Sequence, residues 1–394
     1  MKNLETLIQE LCPDGVEFVK LGDVCEIKTG KGITQKDCSE SSKYPVYSGG
    51  KEPMGYYKEF NRNANTVTVS RVGAYAGFVN YVTEDFYLND KCFSVLPQKD
   101  EDINSKYLYY KLKALECSII NMQSGGGVPT INTKKVGSLE IPLPPIEVQT
   151  EIVRILDKFT SLEAELEAEL DCRKRQYEYY RDKLLSFDNV GGQEVEWKKM
   201  SEVGTFIRGK RFVRTDIVEE GVPCIHYGDI YTYYGLTATK AKTYLKPEKA
   251  EKMKFASKND VVIVGAGENN MDIGVGVAWL SDEKVAIHDA CYIFKSKMNP
   301  RFVSHYLRGS YYHLQIKKYV CEGKICSISS KSIGRSLIPV PSLQEQERIA
   351  TILDRFESLT TSLQSGLPAE ITARRQQYEH YRDKLLTFKR KGAA

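Results

Sequence analysis

Gln176-Tyr-Glu-Tyr-Tyr-Arg-Asp-Lys-Leu-Leu-Ser-Phe187 returns near the far end of the chain as Gln377-Tyr-Glu-His-Tyr-Arg-Asp-Lys-Leu-Leu-Thr-Phe388, identical at ten of twelve positions. The repeat extends upstream. Ile141-Pro-Leu-Pro144 returns as Ile338-Pro-Val-Pro341, and Gln149, Ile152, Ile155, Leu156, Asp157, Phe159, Ser161 and Leu162 each reappear 197 positions later. A fainter echo opens each half. Glu17-Phe-Val-Lys-Leu-Gly-Asp-Val24 matches Glu196-Trp-Lys-Lys-Met-Ser-Glu-Val203, and Gly30-Lys31 then matches Gly209-Lys210. The stretches between, about 40–120 and 220–320, do not match by inspection. Two copies about 200 residues apart are a duplication rather than a solenoid array. A duplicated chain folds most simply around a pseudo-twofold axis, with the shared segments equivalent and the variable blocks equivalent.

The shared segments read as helices. Apolar residues after Ile146 fall at 152, 156, 159, 162, 166, 170, 177, 180, 184 and 187, in steps of three or four with one turn skipped near Arg173. That spacing marks one face of an α-helix, and the Pro-Leu-Pro-Pro run before it sets the start. Such a helix is roughly 60 Å long at about 1.5 Å per residue, and it needs a partner along its length. The second copy, with its stripe from 349 to 388, supplies one. Between matched Leu162 and Gln176 lie 13 residues, and between Leu359 and Gln377 lie 17. Four extra residues are about one turn, so the face is kept within roughly 40°. The first copy also carries a tandem tetrapeptide, Leu162-Glu-Ala-Glu then Leu166-Glu-Ala-Glu. A twofold perpendicular to the helices makes them antiparallel. Gly366 and Pro368 predict a kink or break in the second helix. A plain helical hairpin between two domains shows the same periodicity. The concentration of identity on the helices argues that both copies meet the same thing, either each other or two copies of one partner.

The variable blocks read as short strands with turns. Thr66–Ser70, Gly77–Val82 and Lys91–Leu96 are strand-like in the first, and Asp260–Val264, Gly274–Trp279 and Ala290–Phe294 in the second. Helical stretches follow, Ser105 to Glu116 and Pro300 to Gln315. The fold class is α+β. The organisation predicted is a block over 1–146, a helix over 147–188, a block over 189–342 and a helix over 343–394. Net charge over the four is −1, −4, +7 and +2, within a total of +4. The second block suits a polyanion and the first does not. Tyrosine, 25 in all, mixes with Gly, Ser, Asn and His in loop-like stretches such as 44–50 and 226–234. Such loops suit groove contacts and protein interfaces alike.

Several classes are excluded by what the chain lacks. No run approaches the ~18 apolar residues of a membrane span, and Met1 to Asp14 lacks the apolar core of a secretory leader. The ten cysteines form no CxxC, as expected for free thiols in a reducing cytoplasm. Gly30-Lys-Gly and Gly265-Ala-Gly lack the third glycine of a dinucleotide fingerprint, and no GxxxxGK[ST] occurs. Pro13-Asp14 with Glu17 and Lys20 has the wrong spacing for a metal nuclease. Asn299-Pro-Arg-Phe302 lacks the second proline of an adenine methyltransferase motif. No histidine pair has metal-ligand spacing. No complete active site is present.

The plan resembles the specificity (S) subunit of type I restriction-modification systems, with two variable target-recognition domains each followed by a shared long helix. The Pro-Leu-Pro-Pro-Ile-Glu-Val-Gln run, Ile-Leu-Asp-Lys-Phe and Gln-Tyr-Glu-Tyr-Tyr-Arg-Asp-Lys-Leu-Leu look like the family's shared regions. The resemblance implies two mixed α/β recognition domains in pseudo-twofold arrangement, separated by an antiparallel two-helix coiled coil. It implies that each domain reads half of an asymmetric, bipartite double-stranded DNA target. The helices would set the gap and dock two methyltransferase (M) subunits, with motor-nuclease (R) subunits joining for cleavage. S-adenosylmethionine, ATP and magnesium would belong to those partners, and this chain would hold no cofactor, metal or catalytic residue and would not bind membrane. The alternative is a coiled-coil adaptor that does not read DNA. A self-sufficient enzyme is disfavoured by the missing motifs.

Polar, aromatic or glycine-rich character at strand ends nominates the base contacts. In the first block these are Ser48, Gly49, Tyr56, Ser70, Arg71, Tyr75 and Asn132. In the second they are His226, Tyr227, Asp229, Tyr231, Glu268, Asn269, Asn270 and Lys324. The repeated polar positions off the apolar stripe nominate the M-subunit face. They are Gln149, Asp157, Arg181 and Asp182, with Gln346, Asp354, Arg382 and Asp383 as mates. Intrahelical and interhelical ion pairing is the competing use of those residues.

Overall fold

The computed structural model describes residues 4–99, 101–124, 127–187, 195–361 and 366–392. The chain divides into two compact units, Met1–Glu165 with Thr372–Ala394, and Leu166–Ile371. The division falls inside the helices. Each unit holds one variable block, the near half of one shared helix and the far half of the other.

In the first unit the core is an antiparallel sheet with strand order Cys25–Thr29, Cys92–Pro97, Thr66–Ser70, Val79–Val82. The β-branched run at 66–70 favours the pleat, and Val67, Val69, Phe93 and Val95 are fully buried. The helix Ser105–Ala114 covers this sheet with Tyr107, Leu108 and Leu112. Its start is set by Asn104, whose side chain accepts from the backbone N–H of Lys106 and Tyr107. A smaller sheet centres on Tyr44–Tyr47, flanked by Tyr56–Tyr57 and, in parallel, Tyr87–Leu88. A two-stranded ribbon, Phe18–Lys20 against Glu140–Pro142, leads into the long helix. The chain's end returns here, where Val16 bridges Arg390.

The second unit repeats the frame. Its sheet order is Gly204–Arg208, Cys291–Ser296, Val261–Val264, Gly276–Trp279, with Thr237–Ala238 added in parallel. A second sheet centres on Val222–Ile225, again parallel to its neighbour Val285–Ile287. The ribbon Trp197–Lys199 against Leu337–Pro339 matches the first. The middles that do not match in sequence therefore share strand order. The helical stretch at 300–315 is two helices, Pro300–Tyr306 and Ser310–Lys317, not one. Gly309 separates them, and the Ser310 N–H at the new start is held by the Asp182 carboxylate at 3.2 Å.

The first shared helix runs Ile146–Ser186, 41 residues without interruption. The second is two helices, Leu343–Thr361 and Leu367–Leu385, as Gly366 and Pro368 predict. Gly366 takes φ +84, a conformation glycine tolerates. Pro368 falls in the first turn, where its missing N–H is no loss. In the first unit Phe159 stacks on Tyr381 while Glu163 pairs with Arg375, so partner numbers fall as helix numbers rise and the two run antiparallel. Among the described residues no helix is long and apolar enough to cross a membrane.

Candidate nucleic-acid interface

The candidate contacts gather where the core strands of each unit end. In the first unit the turn after Thr66–Ser70 is pinned on two sides. The Arg71 N–H donates to Lys91 O at 2.7 Å, and Arg71 O accepts from Ile131 N–H at 2.8 Å. Gly49 lies against the same turn so closely that a Cβ would meet Val72 O at 2.3 Å. The Cys92 thiol donates to Ser48 O. Lys51 Nζ sits 5.4 Å from the Tyr75 ring, a cation–π contact. Ser48, Gly49, Ser70, Arg71, Tyr75 and Asn132 thus belong to one loop cluster. Tyr56 lies apart, exposed on the outer strand of the smaller sheet.

Two glycines explain part of the sequence echo. Gly30 N–H donates to Cys92 O, and Gly209 N–H donates to Cys291 O, both at 3.0–3.1 Å. A Cβ at either would collide with carbonyl oxygens at 2.1–2.2 Å, those of Leu88 and His288. The repeated Gly-Lys is a backbone crossing that admits no side chain, not a phosphate loop.

In the second unit His226 caps the short helix Tyr227–Thr232, its Nδ1 accepting from Gly228 N–H. Its ring packs 4.3 Å from Tyr227 and 4.6 Å from His288, and Phe212 meets His288 edge-on at 4.8 Å. Burial holds both histidines below their ordinary pKa, with Asp289 opposing at each and Asp229 also opposing at His226. Tyr231 lies over Gly267, and its buried hydroxyl has no hydrogen-bond partner among the described residues. The turn 268–272 is held by Asn269, whose side chain accepts from Met271 N–H. Asn270 Nδ2 donates to Glu322 Oε1 at 2.7 Å, tying this turn to the loop that carries exposed Lys324. Among the described residues no group of three metal-ligating side chains gathers.

Several candidates are corrected by their surroundings. Ser48 and Ser70 are buried and cannot present hydroxyls to a base. Asp229 is buried and pairs with Lys242 at 3.0 Å, closing the Tyr227–Thr232 helix onto its neighbour. Asn132 Oδ1 is used to cap the turn at Lys134 N–H. Inspection of the sequence missed His288, which sits at the centre of the aromatic cluster. It also missed Met271 and Ile325, which are 75% and 62% exposed on adjacent loops. The only sequence signal for those two was their place beside Asn270 and Lys324.

On the helices, Gln149 and Gln346 are corrected as docking residues, because both are fully buried. Gln149 Oε1 accepts from Asn104 N–H at 2.8 Å, and its Nε2 donates to Asp102 O and Pro144 O. Gln346 repeats this with Asn299 N–H and Pro341 O. Asp157 accepts from Tyr110 Oη at 2.6 Å and pairs with Lys106, and Asp354 meets His305 Nε2 at 2.8 Å and pairs with Arg301 at 2.5 Å. These four residues fasten each helix to its block. Arg181 is buried against Tyr177 and pairs with Asp182. Arg382 repeats that contact with Tyr378 and Asp383, and Asp383 is 64% exposed at its side chain.

The family model for the type I restriction modification DNA specificity domain matches twice, at residues 13–171 and 193–373. The chain is 33% identical over 417 aligned positions to the specificity subunit of the type I restriction enzyme EcoR124I/EcoR124II of Escherichia coli, covering 98% of this chain and 97% of the relative. It is 28% identical to a putative type I restriction enzyme specificity subunit of Haemophilus influenzae, covering 98% and 100%. Among solved structures it is similar to the S subunit of a type I system from M. genitalium, with TM-score 0.54 at 18% identity over 94% of this chain and 95% of that one. A second similar chain comes from a study of complex assembly and conformational transition of the type I R-M system, with TM-score 0.59 at 18% identity over 94% and 97%.

Proposed function

We infer the division of labour within this chain from one premise: it belongs to the family of type I restriction-modification DNA specificity proteins. It is the DNA-recognition subunit of such a system. Each variable block reads one half of an asymmetric bipartite target, using the loop clusters at the ends of its core sheet. The shared helices set the spacer and dock two methyltransferase subunits. Methylation and cleavage are the work of the M and R subunits, and this chain contributes no catalytic group.

The observation that supports this most is the recurrence of one loop frame under two unrelated sets of side chains. The crossing at Gly30 and Gly209, the strand order and the helix fastenings repeat. What the frame presents does not: Arg71 and Tyr75 in one unit, His226 and Met271 in the other. A common scaffold with different reading heads is what two different half-sites require. The test is selection from a randomised duplex pool with M subunits present. Enrichment of two short motifs at fixed separation is expected. Binding without enrichment would favour the adaptor.

A further inference from the structure

Beside the first unit's loop cluster lies a polar cleft of about 320 Å³, lined by Thr29, Arg71, Ser124, Thr130, Thr133 and Lys135, with Met122, Ile131 and Asn132 completing the wall. Among the described residues no carboxylate lines it. Arg71 is half-buried, and its guanidinium has no ion pair or side-chain hydrogen bond among the described residues. Lys135 reaches the rim, where Nζ donates to Met122 O at 3.3 Å. Ser124 and Thr130 each donate their hydroxyl to a backbone carbonyl, so neither proton is free for an anion and the clamp falls to Arg71 and Lys135. The first block is otherwise close to neutral, at −1 over residues 1–146. A guanidinium without a partner on the wall of such a cleft is available to an anionic ligand.

We propose that this cleft is a phosphodiester site: Arg71 and Lys135 clamp a backbone phosphate of the duplex and fix the first block's register on the DNA. This rests on the reading of the block as a DNA-binding module. It revises the role of Arg71 from reading guanine to positioning. The corresponding place in the second unit supports a block-specific device. There Ile328 N–H donates to Gly265 O as Ile131 does to Arg71 O, so glycine occupies the position of Arg71. The second block, at +7 over residues 189–342, has charge to spare elsewhere.

The experiment uses the chain assembled with M subunits and its selected target duplex. Neutral methylphosphonate linkages are placed one at a time along both strands. Wild type should lose binding at one or two adjacent linkages in the first half-site. Arg71→Ala with Lys135→Ala should bind more weakly on every sequence, with the log K against log salt slope reduced by about 1–2, and be indifferent to those linkages. Arg71→Lys keeps the charge and should keep target preference. Altered preference at one base pair in Arg71→Lys, with every neutral linkage still harmful in the double variant, would overturn the proposal in favour of guanine reading. Wild type that tolerates a neutral linkage at every position of the first half-site would overturn it outright. If wild type shows no sequence preference at all, it is the DNA-reading premise that has failed, and this proposal falls with it.

Discussion

Phe159 stacks on Tyr381 with ring centroids 5.5 Å apart and planes 23° from parallel. The duplication maps Phe159 onto Phe356 and Tyr381 onto Tyr180, and those two also stack, at 5.6 Å and 25°. Each copy's early phenylalanine thus meets the other copy's late tyrosine. Residues 159 and 180 lie on one helix, too far apart to touch. Each unit thus joins its two helix segments through the same Phe–Tyr stack.

Phe159→Ala should therefore lower the stability of the first unit by about 1–2 kcal/mol, combining partial burial with an aromatic pair. A double-mutant cycle with Tyr381→Ala, read by chemical denaturation, should give a coupling of about 0.5–1.5 kcal/mol. The same cycle between Phe159 and Tyr180 should give none.

How far the fold could be read from sequence depended on whether a role is tied to one residue type. The helices were legible because their stripe and caps are periodic, and the break at Gly366 and Pro368 because proline and glycine have few backbone options. The equivalence of the two middles was hidden because the roles are kept while the residues change. Asn104 and Asn299, 195 positions apart, cap matching helices and offer their N–H groups to Gln149 and Gln346. One turn on, the partner of Asp157 is the Tyr110 hydroxyl, and that of Asp354 is the His305 ring. Tyrosine and histidine do not align by eye, yet both meet a carboxylate. The candidate site was legible at loop level for the same reason that it failed residue by residue. Ser48, Ser70 and Asp229 have the chemistry of contacts, but only packing shows that they are buried.

Gln149→Leu should cost the first unit roughly 2–3 kcal/mol, since it strands the Asn104 N–H, the buried Pro144 carbonyl and the part-buried Asp102 carbonyl. Gln346→Leu should do the same in the second unit. Thermal denaturation checks both, and loss of M-subunit binding without loss of stability would restore a direct docking role to these glutamines.

Acid should weaken the second unit through its histidines. His226, His288, His305 and His313 all lie in that unit, and burial lowers the pKa of each below the ordinary 6.5. His305 is held between the Tyr177 hydroxyl, 3.1 Å from Nδ1, and Asp354. The unfolded chain takes up protons near 6.5 that the folded unit refuses. The stabilisation is complete above that value and is lost progressively as pH falls below it. Trp197 and Trp279, the chain's two tryptophans, both lie in the second unit, so their fluorescence reports it alone. Denaturation followed by this signal should show a midpoint that drops from pH 7 to pH 5. His305→Gln should flatten part of that drop, and a flat wild-type profile would refute the assignment.

Asp383 is the cleanest probe of the docking face. Its exposed carboxylate pairs at 2.7 Å with the partly covered Arg382, whereas its mate Asp182 also holds the Ser310 N–H. Asp383→Lys should cost little stability, because exposed ion pairs contribute only about 0–1 kcal/mol. If this face docks M, the variant should co-purify with fewer M subunits while its denaturation curve is unchanged. Full assembly by light scattering would place the docking face elsewhere.

The tandem tetrapeptide supplies the sharpest test of the spacer role. The helix is continuous through the tandem repeat, and the contacts on either side of Leu166–Glu169 are Phe159–Tyr381 and Glu163–Arg375 before it and Tyr180–Phe356 after it. Deleting Leu166 to Glu169 removes about 6 Å of helix at ~1.5 Å per residue and turns the following face by only about 40°. The duplicated stripe should therefore still find its partner. B-DNA rises about 3.4 Å per base pair. A helix lying along the duplex would shorten the spacer by one or two base pairs, and less if inclined, with both half-sites unchanged. Deleting three residues instead turns the face by about 60° in the opposite sense, and should damage assembly more. Methylome sequencing of cells carrying each variant reads spacer and half-sites together. An unchanged spacer in an active four-residue deletion would show that helix length does not set the gap.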